Sequence, residues 1–411
     1  KGASADSVDA VLAADATART SRAAAEGLRA ASNAASKEIG QADPADRQAK
    51  IDAAQGVKTQ LQEAEATLSE AETTVSQLAL QLPNPAHESV PDGGEDDFRV
   101  ESVQGEAGPA PAMNHAEIGE RLGLVDTERA VRMSGSRFAY VMGDAVLLQF
   151  GLVQWVLSKL VQRQFVPVVP PVLVREEMMI DAGFFPTDRN QVYELEKDEL
   201  FLVGTAEVGL AGLHRGERLD ATGLPMRYVG YSSCFRREAG TYGKDTQGLF
   251  RVHQFDKVEM FIYSDPATSW DELELLRSIE EEIFTELEMP FRVITVGAGD
   301  LGGAAAKKYD VEVWLPSEQR YREMTSCSNY TDYSARRMGT RMKGESGTQV
   351  MHTLNGTGCA IGRTLLAIFE NHDQSDGTIN VPEVLRPFCG LDVIGTGDRC
   401  PSTVRSRSAF G

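Results

Sequence analysis

Cysteine is scarce: the chain carries five in 411 residues, with no C-x-x-C pair and no Cys/His cluster at zinc-ligand spacing. A disulfide scaffold and a structural zinc site are thereby excluded, and a reducing compartment, the cytoplasm, is expected. Basic charge is also short, with 41 Lys and Arg against 61 Asp and Glu and a net charge of −20. That balance excludes a general basic coat for DNA, so any contact with nucleic acid must be local. The most apolar stretch, residues 140–157, is interrupted by Asp144, Gln149 and Gln154, which disqualifies it as a membrane span. Neither the G-x-x-x-x-G-K-S/T loop nor a strand-linked G-x-G-x-x-G is present, which disfavours phosphate binding by those routes. No signal peptide is apparent, and a missing N-terminal start is expected because the chain opens on Lys1 rather than Met.

What remains is an ordinary globular composition, 42% hydrophobic and 25% charged, long enough for two or three domains. The first 85 residues form a distinct arm. Residues 3–82 have no aromatic side chain and a single Pro. Val57, Leu61, Ala64, Leu68, Ala71, Val75, Leu78 and Leu82 follow alternating steps of 4 and 3, the seam of a coiled coil. A weaker seam runs through Val11, Ala14, Ala18, Ala25, Leu28, Ala35 and Ile39, with Gly40 and Pro44 as the stop and turn between them. Two closely packed antiparallel helices, each about 50 Å long, are predicted. From 19 to 58 there are seven basic residues, among them Arg19, Arg22, Arg29 and Lys37, against five acidic ones, while Glu63, Glu65, Glu70 and Glu72 read as unopposed. Such a hairpin suits an RNA backbone gripped by charge and shape. A purely structural or dimerising hairpin is the alternative.

Residues 86–112 carry a linker signature of Pro, Gly and acidic residues. From 113 to 395 the texture is globular, with a long helix at 138–162, an apolar strand at 165–169 ending in Pro170-Pro171, and later strands at 199–203, 226–235, 249–263 and 291–296. Strands without regular β-α-β alternation point to an α+β fold with an antiparallel-rich sheet flanked by helices. Residues 396–411 read as a flexible tail.

The segment richest in chemistry is Cys234-Phe235-Arg236-Arg237-Glu238-Ala239-Gly240, followed after a loop by Leu249-Phe250-Arg251-Val252-His253-Gln254-Phe255-Asp256-Lys257-Val258-Glu259. It predicts a hairpin whose second strand shows Arg251, His253, Phe255, Lys257 and Glu259 on one face. Arg, Phe and Glu in alternation fit a nucleotide site, Arg for phosphate, Phe for a base and Glu for an amine or hydroxyl; a solvated strand laced with ion pairs is the alternative. Downstream, Asn355-Gly356-Thr357-Gly358-Cys359-Ala360-Ile361-Gly362-Arg363 opens an apolar helix, where glycines admit a planar ligand and Arg can stack on a purine.

With these segments in this order, the chain resembles the bacterial-type seryl-tRNA synthetases, class II aminoacyl-tRNA synthetases, over essentially its whole length. The stretches Gly204-Thr205-Ala206-Glu207 and Arg322-Glu323-Met324-Thr325-Ser326 strengthen the resemblance. It implies a six- or seven-stranded antiparallel sheet, a homodimer, and activation of L-serine with ATP and Mg²⁺ before transfer to tRNA(Ser), with tRNA(Sec) a further acceptor. On the matching positions it implies Arg236, Glu323 and Arg363 as catalytic residues. ATP would be held by these with Arg237, Glu238, Val252, Phe255, Met324, Thr325 and Ser326, adenine lying between Phe255 and Arg363. Mg²⁺ would sit on Glu323 and Ser326. Serine would be surrounded by Thr205, Ala206, Glu207, Arg236, Glu259, Asn355 and Thr357.

The resemblance gives the arm, with Arg19, Arg22, Arg29, Lys37 and also Lys244, to tRNA; Lys244 and Gln247 read equally as a solvated loop. His253 is expected to be structural. Gln164 departs from the family, which often has Gly there, residues 101–112 look short, and the segment that usually precedes the arm is not seen. An amino-acid–carrier-protein ligase built on the same body lacks such an arm, and an inactive RNA-binding paralog would show eroded motifs. A specialised copy for antibiotic synthesis or self-resistance would share the same pocket.

Overall fold

The computed structural model describes residues 1–240, 248–345 and 347–395. Lys244, Gln247 and the expected tail lie outside the described residues. The chain forms two compact units that divide between Pro83 and Asn84, and each is considered by itself.

In the first unit, helix α1 (Ala5–Gly40) is capped by Ser4, whose hydroxyl accepts the Ser7 N–H, and helix α2 (Arg47–Leu80) returns antiparallel. The predicted seam positions are the ones drawn out of solvent, with Ser21 and Ser32 completing the α1 stripe. Only Ala18 and Ala25 are fully buried, because small residues on α1 let the larger ones of α2 close over them. Arg22 pairs with Glu72 and Arg29 with Glu65, each at 2.7 Å. Seven residues up one helix match seven down the other, so the pairs fix the antiparallel register. This corrects the reading of Glu65 and Glu72 as unopposed, and it ties Arg22 and Arg29 to the arm itself. Arg19 likewise pairs with Asp15. Being well exposed, these pairs add little stability. Among the described residues, Lys37, Arg47, Lys50 and Lys58 have no ion-pair partner, and neither have Glu38, Asp43, Asp46 and Asp52, so the turn end of the hairpin carries unpaired charge of both signs.

The second unit is built on an eight-stranded sheet: β1 (Arg99–Gln104), β2 (Val166–Val168), β3 (Met226–Phe235), β4 (Gln254–Ser264), β5 (Phe291–Thr295), β6 (Lys307–Leu315), β7 (Arg320–Asn329) and β8 (His352–Ala360), in the order β1-β5-β6-β7-β8-β4-β3-β2. All neighbours are antiparallel except β2 and β3. The eighth strand, β1, comes from the segment expected to be a linker. That segment and the residues just before it are strapped to the body: Asn84 is buried with its amide on the carbonyls of Ala304 and Tyr330, and the His87 N–H donates to Ala306 O. Its Pro and Gly residues shape a packed surface strap, so composition alone misjudged it.

Helices α3 (Asp144–Gln162), α4 (Ser269–Glu286) and α5 (Ile361–Asn371) cover one face of the sheet. The first starts at Asp144 rather than at 138, because residues 140–141 pair as a short strand and Gly143 turns at φ +57°. It is long and apolar, but Leu148, Leu152, Val156 and Leu160, at steps of four, are sealed in the core. Trp155 is also core, as expected, and Trp270 packs against its edge beside His87.

The strand expected at 249–263 begins five residues later, because the chain at 248–253 turns. Gln164 ends α3 in the left-handed region at φ +66°, where the Phe165 N–H reaches back to Leu160 O at 3.0 Å. A side chain there costs about 1–2 kcal/mol, whereas glycine adds about 0.5–1 kcal/mol of chain entropy to be lost. Gln164→Gly is therefore expected to stabilise the body by up to about 1 kcal/mol, read as a higher urea midpoint at unchanged slope.

Candidate functional site

The face of the sheet away from these helices is a cleft, and strand alternation decides which residues reach it. On β4, Phe255, Lys257 and Glu259 face the cleft while Val258, Met260 and Ile262 enter the core. Two bulges extend the set. The β6–β7 register slips at Met324, so Glu323 and Ser326, three residues apart, share the cleft face instead of opposing one another. The β4–β8 register slips at Gly358 in the same way, bringing Thr357 and Ala360 together. A Cβ at Gly358 would stand 3.2–3.3 Å from Val258, Val156 and Leu160, and one at Gly356 would stand 3.3 Å from Glu280 Oε1. These two glycines thus serve helix packing rather than ligand approach; Gly362 alone of the three lines the cleft.

The cleft holds two adjoining cavities of about 120 and 230 Å³. Arg236, Glu238, Val252, Phe255, Glu323, Met324, Ser326 and Arg363 line the first, as the sequence led one to expect. Arg236 follows directly on β3, with its N–H on His253 O at 2.9 Å and its Nε on Gly204 O at 3.1 Å. Its guanidinium lies 5.3 Å from the Phe255 ring. Arg363 stacks 4.7 Å from Phe250, which carries Arg322 at 3.8 Å, and its Nη1 donates to Glu323 O at 2.9 Å. Arg251 reaches Glu238 at 2.6 Å. Burial pushes the Glu323 carboxyl up, but Arg363, Lys308 and Arg236 outweigh it and hold the group below its ordinary range.

The second cavity is lined by Thr205, Glu207, Arg236, Glu259, Asn355 and Thr357, again as expected. Glu259 is 1% exposed and sits in a dense set of donors. The Thr205 hydroxyl donates to Oε2, Asn355 Nδ2 to Oε1 at 3.1 Å, and Lys257 Nζ lies 2.7 Å from both oxygens. Burial, with the neighbouring Glu259 charge second, pushes Glu207 up to about 8. Tyr330, which bonds Glu207, is itself raised by burial and by that carboxylate.

Three expected residues fall elsewhere. Ala206 is buried in the core, with its Cβ against Gly230. Thr325 points through the sheet and donates to Glu280 Oε2 at 2.9 Å, since the bulge puts it on the opposite face from Glu323 as well as from Ser326. Arg237 is exposed and lines neither cavity; its N–H donates to Gln191 O. His253 is structural, with Nδ1 2.9 Å from Arg236 O and its ring against Phe138. The sequence reading left out Lys257, Tyr330, Asp188 and Lys308 as site residues, although all four line the second cavity. Lys257 was within reach, since alternation already placed it between Phe255 and Glu259. Asp188 and Tyr330 arrive from distant loops and leave no spacing signal.

The chain is similar to known proteins along most of its length. Residues 191–372 match the class II core domain of the tRNA synthetases for G, H, P, S and T, and residues 1–86 match the seryl-tRNA synthetase N-terminal domain. A serine–tRNA ligase of Acidothermus cellulolyticus is 47% identical over 94% of this chain and 93% of its own, and one of Mycobacterium tuberculosis is 48% identical over the same shares. Among solved structures, the seryl-tRNA synthetase of Pyrococcus horikoshii complexed with ATP superposes with a TM-score of 0.87 at 38% identity, covering 94% of this chain and 93% of that one. The cytoplasmic serine–tRNA ligase of Naegleria fowleri in complex with AMP superposes at 0.85 and 30% identity, covering 95% and 92%. With these matches spanning nearly all of it, the chain belongs to the seryl-tRNA synthetase family.

Proposed function

We infer that the protein is a serine–tRNA ligase, which joins serine to ATP as seryl-adenylate with release of pyrophosphate and then passes the seryl group to the terminal ribose of tRNA. The observation that carries this reading is the meeting of two unlike cavities at Arg236, Lys257, Ser326 and Thr357. One is aromatic and cationic, suited to a nucleotide triphosphate; the other is small and acidic, suited to an ammonium with a hydroxyl. Adenine fits between Phe255 and Arg363, and Arg236 stands where the serine carboxylate must meet the α-phosphate. The chemistry needs alignment and charge neutralisation more than a general base. Glu207, Glu259 and Thr357 select serine by bonding its ammonium and hydroxyl, which alanine would leave partly unpaired.

Mg²⁺ fits the donors of the first cavity. The bulge sets a carboxylate and a hydroxyl, Glu323 and Ser326, side by side, and Glu323 is kept ionised. One carboxylate with phosphate and water oxygens is a usual set for this ion, which would neutralise phosphate charge there. For the tRNA, the unspent Lys37, Arg47, Lys50 and Lys58 near the hairpin turn are the better candidates than the paired Arg19, Arg22 and Arg29. A grip by shape and charge would extend to tRNA(Sec) as well as tRNA(Ser). The carrier-protein alternative has no use for an arm of this length.

A homodimer is supported by an apolar strip that the body leaves bare. Leu147, Phe150, Val161, Val166 and Val169 are all exposed, Val169 at 80%, along the outer side of α3 and at the edge strand β2. Phe150→Glu with Val169→Glu is expected to convert a dimer to a monomer in light scattering; a monomeric wild type would refute the dimer.

ATP–pyrophosphate exchange that requires serine tests the activity. Arg236→Ala and Glu259→Ala should each lose about 100- to 1,000-fold in that assay, and normal rates in both would displace the site. The pH dependence has a definite sign. Below about 8 the ligand-free Glu207 holds a proton. An arriving ammonium favours its ionised form, so binding releases that proton and strengthens as pH rises. The KM for serine is expected to fall between pH 6 and 8, by at most about tenfold per unit, and Glu207→Gln should flatten the profile.

A further inference from the structure

Glu259 is already saturated before any substrate arrives. A carboxylate offers about four lone-pair sites. Here Thr205 takes one on Oε2, Asn355 one on Oε1 at 3.1 Å, and the Lys257 ammonium lies 2.7 Å from each oxygen. A substrate ammonium bound to Glu259 must therefore take over at least one of these contacts. Thr205 and Asn355 are short, buried and anchored: the Glu207 N–H donates to Thr205, and Asn355 Nδ2 also reaches Met260 O. Lys257 alone hangs on a flexible four-carbon stem, and it lines both cavities. On β4 it stands between Phe255 of the nucleotide cavity and Glu259 of the amino-acid cavity.

We propose that Lys257 is a displaceable counter-ion that holds Glu259 in the empty enzyme and, once the serine ammonium takes that carboxylate, turns its own ammonium to the reacting carboxylate and α-phosphate. This rests on the ligase reading given above. It makes Lys257 a catalytic residue beside Arg236. In the step it serves, a serine carboxylate oxygen forms a bond to the α-phosphorus. The bond from that phosphorus to the bridging oxygen on the β side breaks, and pyrophosphate leaves with the electron pair. No proton moves, so Lys257 contributes charge alone, where two anionic groups are forced together. The exchange also spares the site an uncompensated acid: in the empty cavity Lys257 answers the Glu259 charge, and in the loaded one the substrate does.

The test is serine-dependent pyrophosphate exchange with the full chain, wild type beside Lys257→Met and Lys257→Ala. In Lys257→Met, kcat is expected to fall about 100-fold or more, while the serine KM stays within about threefold or drops, since a competing ammonium is gone. In Lys257→Ala, added methylamine or ethylamine is expected to restore rate in proportion to its concentration, a comparison of one folded sample with itself. An unchanged kcat with a serine KM raised tenfold or more would make Lys257 a prop for Glu259 and overturn the proposal. A loss of kcat in Lys257→Ala that no amine restores would overturn it too. A wild type without serine-dependent exchange would overturn the ligase reading itself, whereas an active wild type with unaffected variants removes only the Lys257 assignment.

Discussion

Everything in the catalytic unit depends on the two-residue pleat of its central strands. A strand shows successive side chains to opposite faces, and here one face is sealed by three helices while the other is open. Val258, Met260 and Ile262 anchor β4 in the core, so Phe255, Lys257 and Glu259 have no choice but to project into the cleft. The anchoring side is close-packed: Val156 and Leu160 on α3 would stand only 3.3 Å from a Cβ at Gly358. Position, charge and aromatic surface in the cleft follow from this fixed backing.

The pleat alone would scatter the site, and two single-residue slips repair it. Without the bulge at Met324, Glu323 and Ser326 would look in opposite directions; without the one at Gly358, Thr357 and Ala360 would. The residue sacrificed is Thr325, which is turned inward and met by Glu280, a carboxyl that burial pushes well above its ordinary range. An acid beneath the floor that burial biases toward its neutral form is compatible with the acids above it, since like charges on both sides of one strand would repel through a poorly screened interior. Within the cleft the same balance holds, with Arg236, Arg251, Lys257, Lys308 and Arg363 set among Glu207, Glu238, Glu259 and Glu323.

Much of this was legible in the sequence. The arm could be read because its seam is a periodic pattern, and the pattern predicts which residues lose solvent. The cleft face of β4 could be read because alternation is local. Other features depend on partners far along the chain. Arg22 and Glu72 are 50 residues apart and Arg29 and Glu65 are 36 apart, so their pairing follows only from the hairpin register. The bulges have no composition signature, which is why Thr325 was placed with its neighbours. Residues 86–112 misled for the opposite reason: Pro and Gly mark irregular backbone, and irregular backbone can still be tightly held, as His87 is by Ala306 and Gly108 by Trp314.

The same partition of faces has a bearing on how such an enzyme can diverge. A substitution at Glu259 changes what the amino-acid pocket greets while Val258 and Met260, on either side of it along β4, stay packed in the core. Substrate choice and folding are written in alternate letters of one strand, so selection can edit the first while leaving the second unread.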